Sequence, residues 1–364
     1  MAHFLQRLYR GETRINFIGS RYRWYAASGL LVLICVLSFI FRGFNEGVEF
    51  KGGSTFQIPV SGTSISTDDA SRAFTDAGAP PAEAPQSVGS GSTKQIVVNT
   101  KSLTAQEQDD VVDSVAKQLG VDKTTISPQT FSSRWGHDTT ISALQGLIIF
   151  LIAVSIYISL RFEWRMAVGG MLALLHDLVI AGGVYSLVGF EVTPSTIVGL
   201  LTILGFSLYD TVVVYDKVAE NAKDILAGSR MTFSEAANLA VNQTLMRSIN
   251  TSLIALLPVG GLLFVGAGLL GVGTIKDLAL ILFVGLASGA YSSLFLATPI
   301  VVDLTERDPQ YKALTKRVEA KRSSEAKRAE EAALTGVSVA PKRTGAPAPA
   351  PRVGARPERR KRSR

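Results

Sequence analysis

Long apolar windows separated by short polar connections dominate the pattern of this chain. A helix that crosses the roughly 30 Å hydrocarbon core of a bilayer needs about 20 largely apolar residues. Six windows meet or approach that length, at Trp24–Phe41, Thr139–Leu160, Met166–Phe190, Val192–Tyr215, Thr251–Leu270 and Leu278–Val302. The pattern therefore predicts a mainly α membrane protein with six transmembrane helices.

The segment between the first two windows, residues 42–138, has the mixed pattern of a soluble domain. Strand-like and helix-like stretches alternate along it. They are Val48–Val60 (strand), Asp68–Ala77 (helix), Gln95–Thr100 (strand), Thr104–Leu119 (helix) and Thr124–Ser133 (a possible third strand). We expect one small α/β domain of the ferredoxin-like type, inserted between spans one and two.

The positions of Lys and Arg predict the orientation, because short cationic connections stay in the cytoplasm. Five arginines precede the first window, Arg161 and Arg165 separate the second from the third, and further cations separate the fourth from the fifth. Both termini are predicted to be cytoplasmic. The expected parts are a cytoplasmic segment 1–23, span one at 24–41, an exported domain 42–138, a five-helix remainder 139–302 and a cytoplasmic tail 303–364.

Two further cytoplasmic features follow from local patterns. The run Thr232–Glu235 has the form of a capping box, which predicts an interfacial helix over about 232–246. Residues 307–364 hold 17 of the 37 Lys and Arg residues but 6 of the 30 Asp and Glu residues. The basic tail is expected to form a short charged helix and then to be disordered, with anionic lipid as its partner.

Composition narrows the class of protein. The chain is 47% hydrophobic and 18% charged, and it holds one cysteine, Cys35, and three histidines. A disulfide framework and a thiolate metal site are therefore excluded, and zinc chemistry is not expected. The sequence contains no phosphate-binding loop and no hydrolase or metalloprotease motif of the common types. We expect a protein that is not an enzyme, binds no cofactor or metal and draws energy from an ion gradient.

Asp210 is the first candidate functional residue, because a charge inside a bilayer costs about 2.5–3.5 kcal/mol at a helix centre. Ser207, Asp210 and Thr211 lie at i, i+3 and i+4 and form a polar stripe on the fourth window. Desolvation favours the neutral form of a carboxyl group, so Asp210 is suited to take up and release protons. The alternative is a structural hydrogen bond or ion pair between helices.

Arg247 begins a second stripe, with Asn250 and Thr251 at i+3 and i+4. A cation close to Asp210 favours its charged form, so movement of Arg247 relative to that carboxylate offers a switch of proton affinity. The alternative is an interfacial arginine that reaches lipid phosphates. Asp177, which follows His176 in the third window, is either part of a proton path or a structural aspartate bonded to Ser or Thr.

Several motifs resemble those of one family. The run from Arg42 to Gly53 (R-G-F-N-E-G-V-E-F-K-G-G) resembles the motif that follows the first span in SecD/SecF proteins, with Glu49 where Asp is commoner and Gly52 and Gly53 as the paired glycines. The runs Arg161–Arg165, His176–Asp177, Leu204–Lys217 and Gln243–Ser252 resemble later signatures of the SecF branch. The resemblance covers about residues 15–303.

The resemblance to the SecD/SecF family, of the resistance-nodulation-division superfamily, implies a function and partners. It implies a subunit that forms a heterodimer with SecD, associates with the SecYEG channel and its SecA ATPase, and uses the proton-motive force to promote late steps of preprotein translocation. It implies location in the bacterial cytoplasmic membrane and accessory partners of the YajC and YidC type. It also assigns proton coupling to Asp210 and Arg247.

Two other functions stay open at this point. One is a proton-coupled exporter of lipids or amphiphiles from the same superfamily, although such single-chain exporters have about twice as many spans. The other is a structural scaffold that keeps a translocon assembled. The sequence also leaves open whether sodium replaces the proton. The stretch Gly285-x-x-x-Gly289 in the sixth window predicts a close helix contact.

Overall fold

The computed structural model describes residues 15–60, 64–89, 91, 94–269 and 273–335. In this part of the chain, six helices are long and apolar enough to cross a membrane, which makes the chain a multi-pass membrane protein. Their helical bounds are Arg21–Phe41 (span one), Ser133–Arg161 (span two), Trp164–Val188 (span three), Pro194–Ala222 (span four), Phe233–Gly261 (span five) and Gly273–Ser292 (span six).

Spans five and six both continue beyond their α-helical parts. A π-helical segment, Leu262–Leu269, follows span five. After span six come a π-helical segment at Ser293–Ala297 and an α-helix at Thr298–Glu306, and then a C-terminal helix at Pro309–Thr335. The predicted charged helix after Thr305 is therefore present, and the predicted disorder concerns residues that lie largely outside the described part of the chain.

Local signals explain where the spans begin and end. Span three ends at Gly189, whose left-handed conformation (φ 80°) is available to a residue without a Cβ. Span four begins with Thr193 as N-cap, Thr196 completing a capping box, and Pro194 in the first turn, where its missing N–H is not needed. The predicted capping box Thr232–Glu235 is confirmed.

The α/β domain contains three helices, α1 (Val48–Lys51), α2 (Thr67–Asp76) and α3 (Ala105–Leu119). Its strands are β1 (Asn45–Glu46), β2 (Gly53–Pro59), β3 (Gln86–Val88), β4 (Gln95–Thr100) and β5 (Ser127–Phe131). The last four form one sheet in the order β3-β4-β2-β5, and every neighbouring pair is antiparallel. Phe56, Phe74, Val98 and Val115 lie in the core between this sheet and helices α2 and α3.

Two local predictions differ from the structure, and one strand was not predicted. The stretch predicted as a strand over Val48–Val60 begins with the helical turn α1, and the strand starts only at Gly53, after Gly52 reverses the chain with φ 77°. Strand β3 was not predicted, because it has three residues and follows a proline-rich loop. The helix predicted over 232–246 does not end there but continues as span five, since no Gly or Pro follows Met246 before Pro258.

A two-stranded parallel pair joins the domain to the bundle. β1 leads out of span one, and it pairs with β6 (Glu191–Val192), which connects spans three and four. Asn45 lies opposite Glu191, and Glu46 lies opposite Val192. The base of the domain is thus attached to the ends of spans one, three and four, which we call the domain side of the bundle.

Candidate functional site

The Asp210 side chain lies near the middle of span four and is buried between three helices, with 7% of its surface exposed. Its Oδ1 accepts a hydrogen bond of 2.8 Å from the Ser248 hydroxyl of span five. Its Oδ2 accepts one of 2.6 Å from the Ser293 hydroxyl, at the first residue of the π-helical segment after span six. One carboxylate therefore links spans four, five and six.

Asp177, on span three, is more deeply buried, with 1% of its surface exposed. Ser288 donates to its Oδ1 at 2.7 Å, and Ser207 and Ser292 donate to its Oδ2 at 2.5 and 2.8 Å. The Nδ1 atom of His176 lies 3.3 Å from the same Oδ1. Three hydroxyl groups from spans four and six thus surround this carboxylate.

The two carboxylates differ in how completely they are hydrogen-bonded. An ionised carboxylate offers about four lone-pair sites, and Asp177 has three hydroxyl donors, whereas Asp210 has two in the described part of the chain. A cavity of about 20 Å³ lies beside Asp210, lined in part by Ser207 and Thr251. A space of this size holds one water molecule. Asp210 therefore has both unused acceptor capacity and a place for a water partner.

Close packing of spans four and six makes these contacts possible. A Cβ atom added at Gly289 would lie 2.9 Å from the Cβ atom of Ser207, and one added at Gly285 would overlap the Ile203 side chain. The close contact predicted for Gly285-x-x-x-Gly289 is confirmed, and the partner helix is span four. Because span six approaches so closely, its serines reach the carboxylates of spans three and four.

The π-helical segment Ser293–Ala297 contributes to the same arrangement. Ser292 donates to Asp177 and the next residue, Ser293, donates to Asp210. Successive side chains on a helix point about 100° apart, so these two serines can donate to carboxylates on two different neighbouring helices. Short π-helical segments occur frequently at functional sites.

Arg247 lies on the same turn of span five as Ser248, but it does not contact Asp210. Its guanidinium donates to the Tyr209 hydroxyl at 3.0 Å, and its side chain is exposed on the surface of the bundle. Thr251 donates to the Arg247 carbonyl at 2.9 Å and lines the cavity beside Asp210. Asn250 is exposed and lies outside the site.

The other residues predicted for the site, Thr211, Gly52 and Gly53, lie in different parts of the structure. The Thr211 hydroxyl is buried and has no hydrogen-bond partner among the described residues. Gly52 adopts φ 77°, and a Cβ atom added at Gly53 would lie 2.6 Å from the Thr100 carbonyl oxygen. The two glycines therefore build the entry to strand β2 and lie in the domain, away from both carboxylates.

Four of the serines that donate to the two carboxylates were not predicted from the sequence. They are Ser248, Ser288, Ser292 and Ser293, and the relative exposure of each is 8% or less. For the last three, the only signal was a group of small hydroxyl residues, from Ser288 to Ser293, inside an otherwise apolar window. Serine is common in membrane helices as a packing residue, so the pattern alone did not distinguish a donor to a carboxylate.

Together, the fold and the site define a class of protein. It is a multi-pass membrane protein with an α/β domain inserted after its first span and two carboxylates buried between its helices. A family model described as "Protein export membrane protein SecD/SecF, C-terminal" matches residues 111–307, and one described as "SecD/SecF GG Motif" matches residues 37–63. The chain belongs to the SecD/SecF family.

Relatives and solved structures agree with this assignment. The protein translocase subunit SecF of Streptomyces coelicolor is 46% identical over 330 residues, which are 90% of this chain and 86% of the relative. The SecF subunit of Mycobacterium tuberculosis is 44% identical over 333 residues, which are 88% of this chain and 74% of the relative. The crystal structure of SecDF from Thermus thermophilus matches with a TM-score of 0.71 at 30% identity, covering 81% of this chain and 39% of that chain.

Proposed function

We propose that this chain is the SecF subunit of a SecDF complex, which uses the proton-motive force to promote late steps of preprotein translocation, and that it is not an enzyme. The observation that carries the proposal is the Asp210 carboxylate, buried between three spans, held by two serine hydroxyls and bordered by a cavity for one water. A buried carboxyl group with incomplete hydrogen bonding can accept a proton from such a water.

Protonation of Asp210 would change the packing of three spans. The ionised carboxylate accepts from Ser248 and Ser293, and hydrogen bonds to a charged group are about twice as strong as those to a neutral one. A bound proton weakens both bonds and supplies a donor of its own. Spans five and six are then free to shift against span four, which provides the mechanical step.

Arg247 is proposed as the switch that controls this equilibrium. In this structure its guanidinium donates a hydrogen bond to the hydroxyl group of Tyr209, the residue that precedes Asp210. A small rotation of span five would bring the cation toward the carboxylate and favour its ionised form. The arrangement therefore supports alternation between a state in which Asp210 holds a proton and a state in which it faces Arg247.

Asp177 is proposed as a structural anchor. Its three hydroxyl donors join spans three, four and six, and they fill most of its acceptor capacity. One carboxylate thus connects three spans through hydrogen bonds. Of the two interpretations that the sequence left open for this residue, the contacts favour the structural one.

Topology and partners follow from the same proposal. We place the chain in the bacterial cytoplasmic membrane, with both termini in the cytoplasm and the α/β domain exported. In that domain, the β-α-β-β-α-β order of elements from β2 to β5 and the order of strands in the sheet support a ferredoxin-like fold. This chain spans 39% of the solved SecDF chain, which supports a separate SecD partner that supplies the remainder. The complex would act with SecYEG, SecA and the preprotein.

The test is gradient-driven export in membrane vesicles. Preproteins are first arrested part-way by removing ATP, and their completion is then followed with and without an imposed proton gradient. Asp210→Asn should abolish the stimulation by the gradient, because the amide keeps the shape but carries no exchangeable charge. Asp216→Asn, on the same helix but in a surface ion pair with Arg161, is the matched control and should export normally. Normal stimulation in Asp210→Asn would contradict the proposal.

A further inference from the structure

A cavity of about 490 Å³ lies among the spans at the domain side of the bundle. Spans one, two, three, four and six contribute to its walls, and helix α1 of the domain adds Phe50. None of the described residues that line it also lines the small cavity beside Asp210. Its volume falls in the range of ligand-binding cavities, roughly 300–1,000 Å³. The function proposed above makes no use of this space.

The cavity has a polar end and an apolar end. The polar end is formed by Thr140 near the start of span two, Tyr185 near the end of span three and Thr196 at the start of span four. Leu147 on span two and Leu178 on span three line the other end, and each lies seven residues deeper than the polar residue of its own span. Seven residues of helix rise about 10 Å, so the cavity extends about 10 Å from the domain side into the apolar interior. This polarity matches an amphiphile whose polar group lies toward the domain.

The cavity opens on the surface of the bundle between spans one and two. Phe44, which follows span one, and Leu144, on span two, both line it and are 47% and 56% exposed. Because this surface belongs to membrane-spanning helices, the opening faces the bilayer. A helix with its side chains is about 10–12 Å across, so a cavity of this volume holds only about one helical turn. An unbranched hydrocarbon chain is much thinner and can enter along its whole length.

The bilayer itself supplies such a chain. Apolar cavities in proteins stay dry, so water does not fill the inner part of this one. Side chains that border an empty space lose dispersion contacts, and an acyl chain from the surrounding lipid restores them. The hydrocarbon part of the cavity is therefore suited to a lipid tail.

A cation lies at the polar end. Arg42 directly follows span one, between Phe39 and Phe44, two residues that line the cavity and whose rings stack with 5.0 Å between their centres. Its exposed guanidinium donates to the Leu187 carbonyl at 2.7 Å, the one hydrogen bond of this side chain to the described residues. A guanidinium has five N–H donors and binds phosphate in a bidentate manner, so Arg42 keeps donors for a phosphate group.

An acidic side chain completes the charge pattern of the polar end. Glu46, on strand β1, lines the cavity and is exposed. A phosphoethanolamine head group carries a negative phosphate and a positive ammonium group, so it complements Arg42 and Glu46 together. A head group with negative charge alone would meet a like charge at Glu46, and complementarity of this kind determines which partner is bound.

We propose that this cavity binds one phospholipid with a zwitterionic head group. An acyl chain fills the apolar end, Arg42 holds the phosphate, and the ammonium group lies near Glu46. The lipid enters from the leaflet on the domain side, between spans one and two, and it fills the space between span two and the rest of the bundle. The inference rests on the cavity and not on Asp210, so it does not depend on the function proposed above.

The experiment measures lipid binding to the purified full chain. The protein is delipidated in detergent, dioleoyl-phosphatidylethanolamine is titrated in, and native mass spectrometry counts the bound lipid molecules. The wild type should bind one molecule about tenfold or more tightly than dioleoylglycerol, which has the same chains but no phosphate. Arg42→Gln should bind both lipids equally weakly. Arg23→Gln removes an exposed cation at the other end of span one and should bind as the wild type does.

Filling the cavity tests the place of the acyl chain. Ala143→Phe on span two and, independently, Val179→Phe on span three put a ring into the cavity, and each should abolish the tight binding. Ala153→Phe, exposed on span two and outside the cavity lining, is the control with the same substitution. Added phosphatidylethanolamine should raise the thermal unfolding temperature of the wild type and of Ala153→Phe. It should not raise that of Ala143→Phe, because a ligand stabilises only a protein that binds it.

Three results would overturn the proposal. The first is equal affinity of the wild type for phosphatidylethanolamine and dioleoylglycerol. The second is equal lipid binding by the two cavity variants and Ala153→Phe. The third is loss of the bound lipid when the chain is copurified with SecD, since the opening would then belong to an interface between proteins. Elution as a single monodisperse species is the check that each variant has folded.

Discussion

Arg247 donates a hydrogen bond of 3.0 Å to the hydroxyl group of Tyr209, the residue that precedes Asp210 in span four. The residue after Arg247, Ser248, donates to Asp210 itself. Two neighbouring pairs thus connect spans four and five, one through a cation and one through a carboxylate. The proposed coupling depends on a movement of span five that brings Arg247 toward Asp210.

The first prediction concerns the charge of Arg247. Arg247→Met should reduce gradient-driven export by about tenfold or more, since the coupling between two sites is typically about 1–3 kcal/mol. Arg247→Lys keeps the positive charge and should retain part of the activity. Tyr209→Phe removes the present partner but leaves both charges, and it should export better than Arg247→Met. The measurement is completion of arrested preproteins in vesicles with an imposed gradient.

Assembly must be separated from coupling in this series. Each variant is therefore copurified with tagged SecD, and the yield of the complex is compared with that of the wild type. If Arg247→Met loses the complex along with export, the residue acts in assembly and the scaffold interpretation gains support. Equal export by the methionine and lysine variants would show that charge is not the relevant property.

The second prediction concerns Asp177 as an anchor of the bundle. Asp177→Ala removes the acceptor for Ser207, Ser288 and Ser292 and leaves three buried hydroxyl groups without it. Ser292 keeps a bond to the Gly289 carbonyl, so two hydroxyl groups are left unsatisfied. At about 1–3 kcal/mol for each, the variant should lose about 2 kcal/mol or more of stability. Ser288→Ala removes one donor and should cost about 1 kcal/mol. Thermal unfolding in detergent gives the comparison, and an Asp177→Ala protein as stable as the wild type would rule out the anchor.

The third prediction tests the approach of spans four and six at Gly289. A Cβ atom there would lie 2.9 Å from the Ser207 Cβ, and part of the contact is helix backbone, so Gly289→Ala must push the helices apart. We expect a loss of about 1–3 kcal/mol, as for overpacked cores. Gly205→Ala is the matched control on span four, because nothing lies within 4 Å of the added atom. It should be neutral or stabilising by roughly 0.5–1 kcal/mol.

Function adds a second readout to the Gly289 comparison. Moving the helices apart also moves Ser293 away from Asp210, so gradient-driven export should fall in Gly289→Ala and stay normal in Gly205→Ala. Loss of export in both variants would mean that glycine flexibility within the spans, and not their close contact, is what the mechanism needs.

Much of this fold could be predicted from the sequence because the strongest signals are local. A run of apolar residues is enough to identify each span, and Thr232 with Glu235 is enough to identify a helix start. The end of this helix, predicted near Met246, was wrong, because no Gly or Pro stands there to terminate it. The short helical turn Val48–Lys51 was not predicted, because its residues have strand propensity. The glycines on either side of it, Gly47 and Gly52, outweigh that propensity.

The site was harder to predict because it depends on which helix faces mean each other. Asp177 and Asp210 could be recognised as costly charges from span three and span four alone. The difference in their surroundings could not be predicted, because the deciding donors lie 83 to 115 residues further along the chain. These donors are Ser288, Ser292 and Ser293.

The last prediction separates two roles of glycine in the α/β domain. A Cβ atom at Gly53 would lie 2.6 Å from the Thr100 carbonyl oxygen, and this contact is with backbone of the neighbouring strand β4. Gly53→Ala must therefore displace the start of the β2–β4 ladder, whose first pair is Ser54 with Thr100. Gly78, with φ 80° and nothing within 4 Å, is a control in which the added atom costs only conformational energy, about 1–2 kcal/mol.

The two variants should differ in where the domain loosens. Hydrogen exchange of the full chain should show faster exchange along strands β2 and β4 in Gly53→Ala, and a change confined to the end of α2 in Gly78→Ala. Because β2 begins only eleven residues after Arg42, where span one ends, displacement at Gly53 should also disturb the β1–β6 pair that attaches the domain to the bundle. Protection of β2 and β4 that matches the wild type in Gly53→Ala would mean that the paired glycines do not set this register.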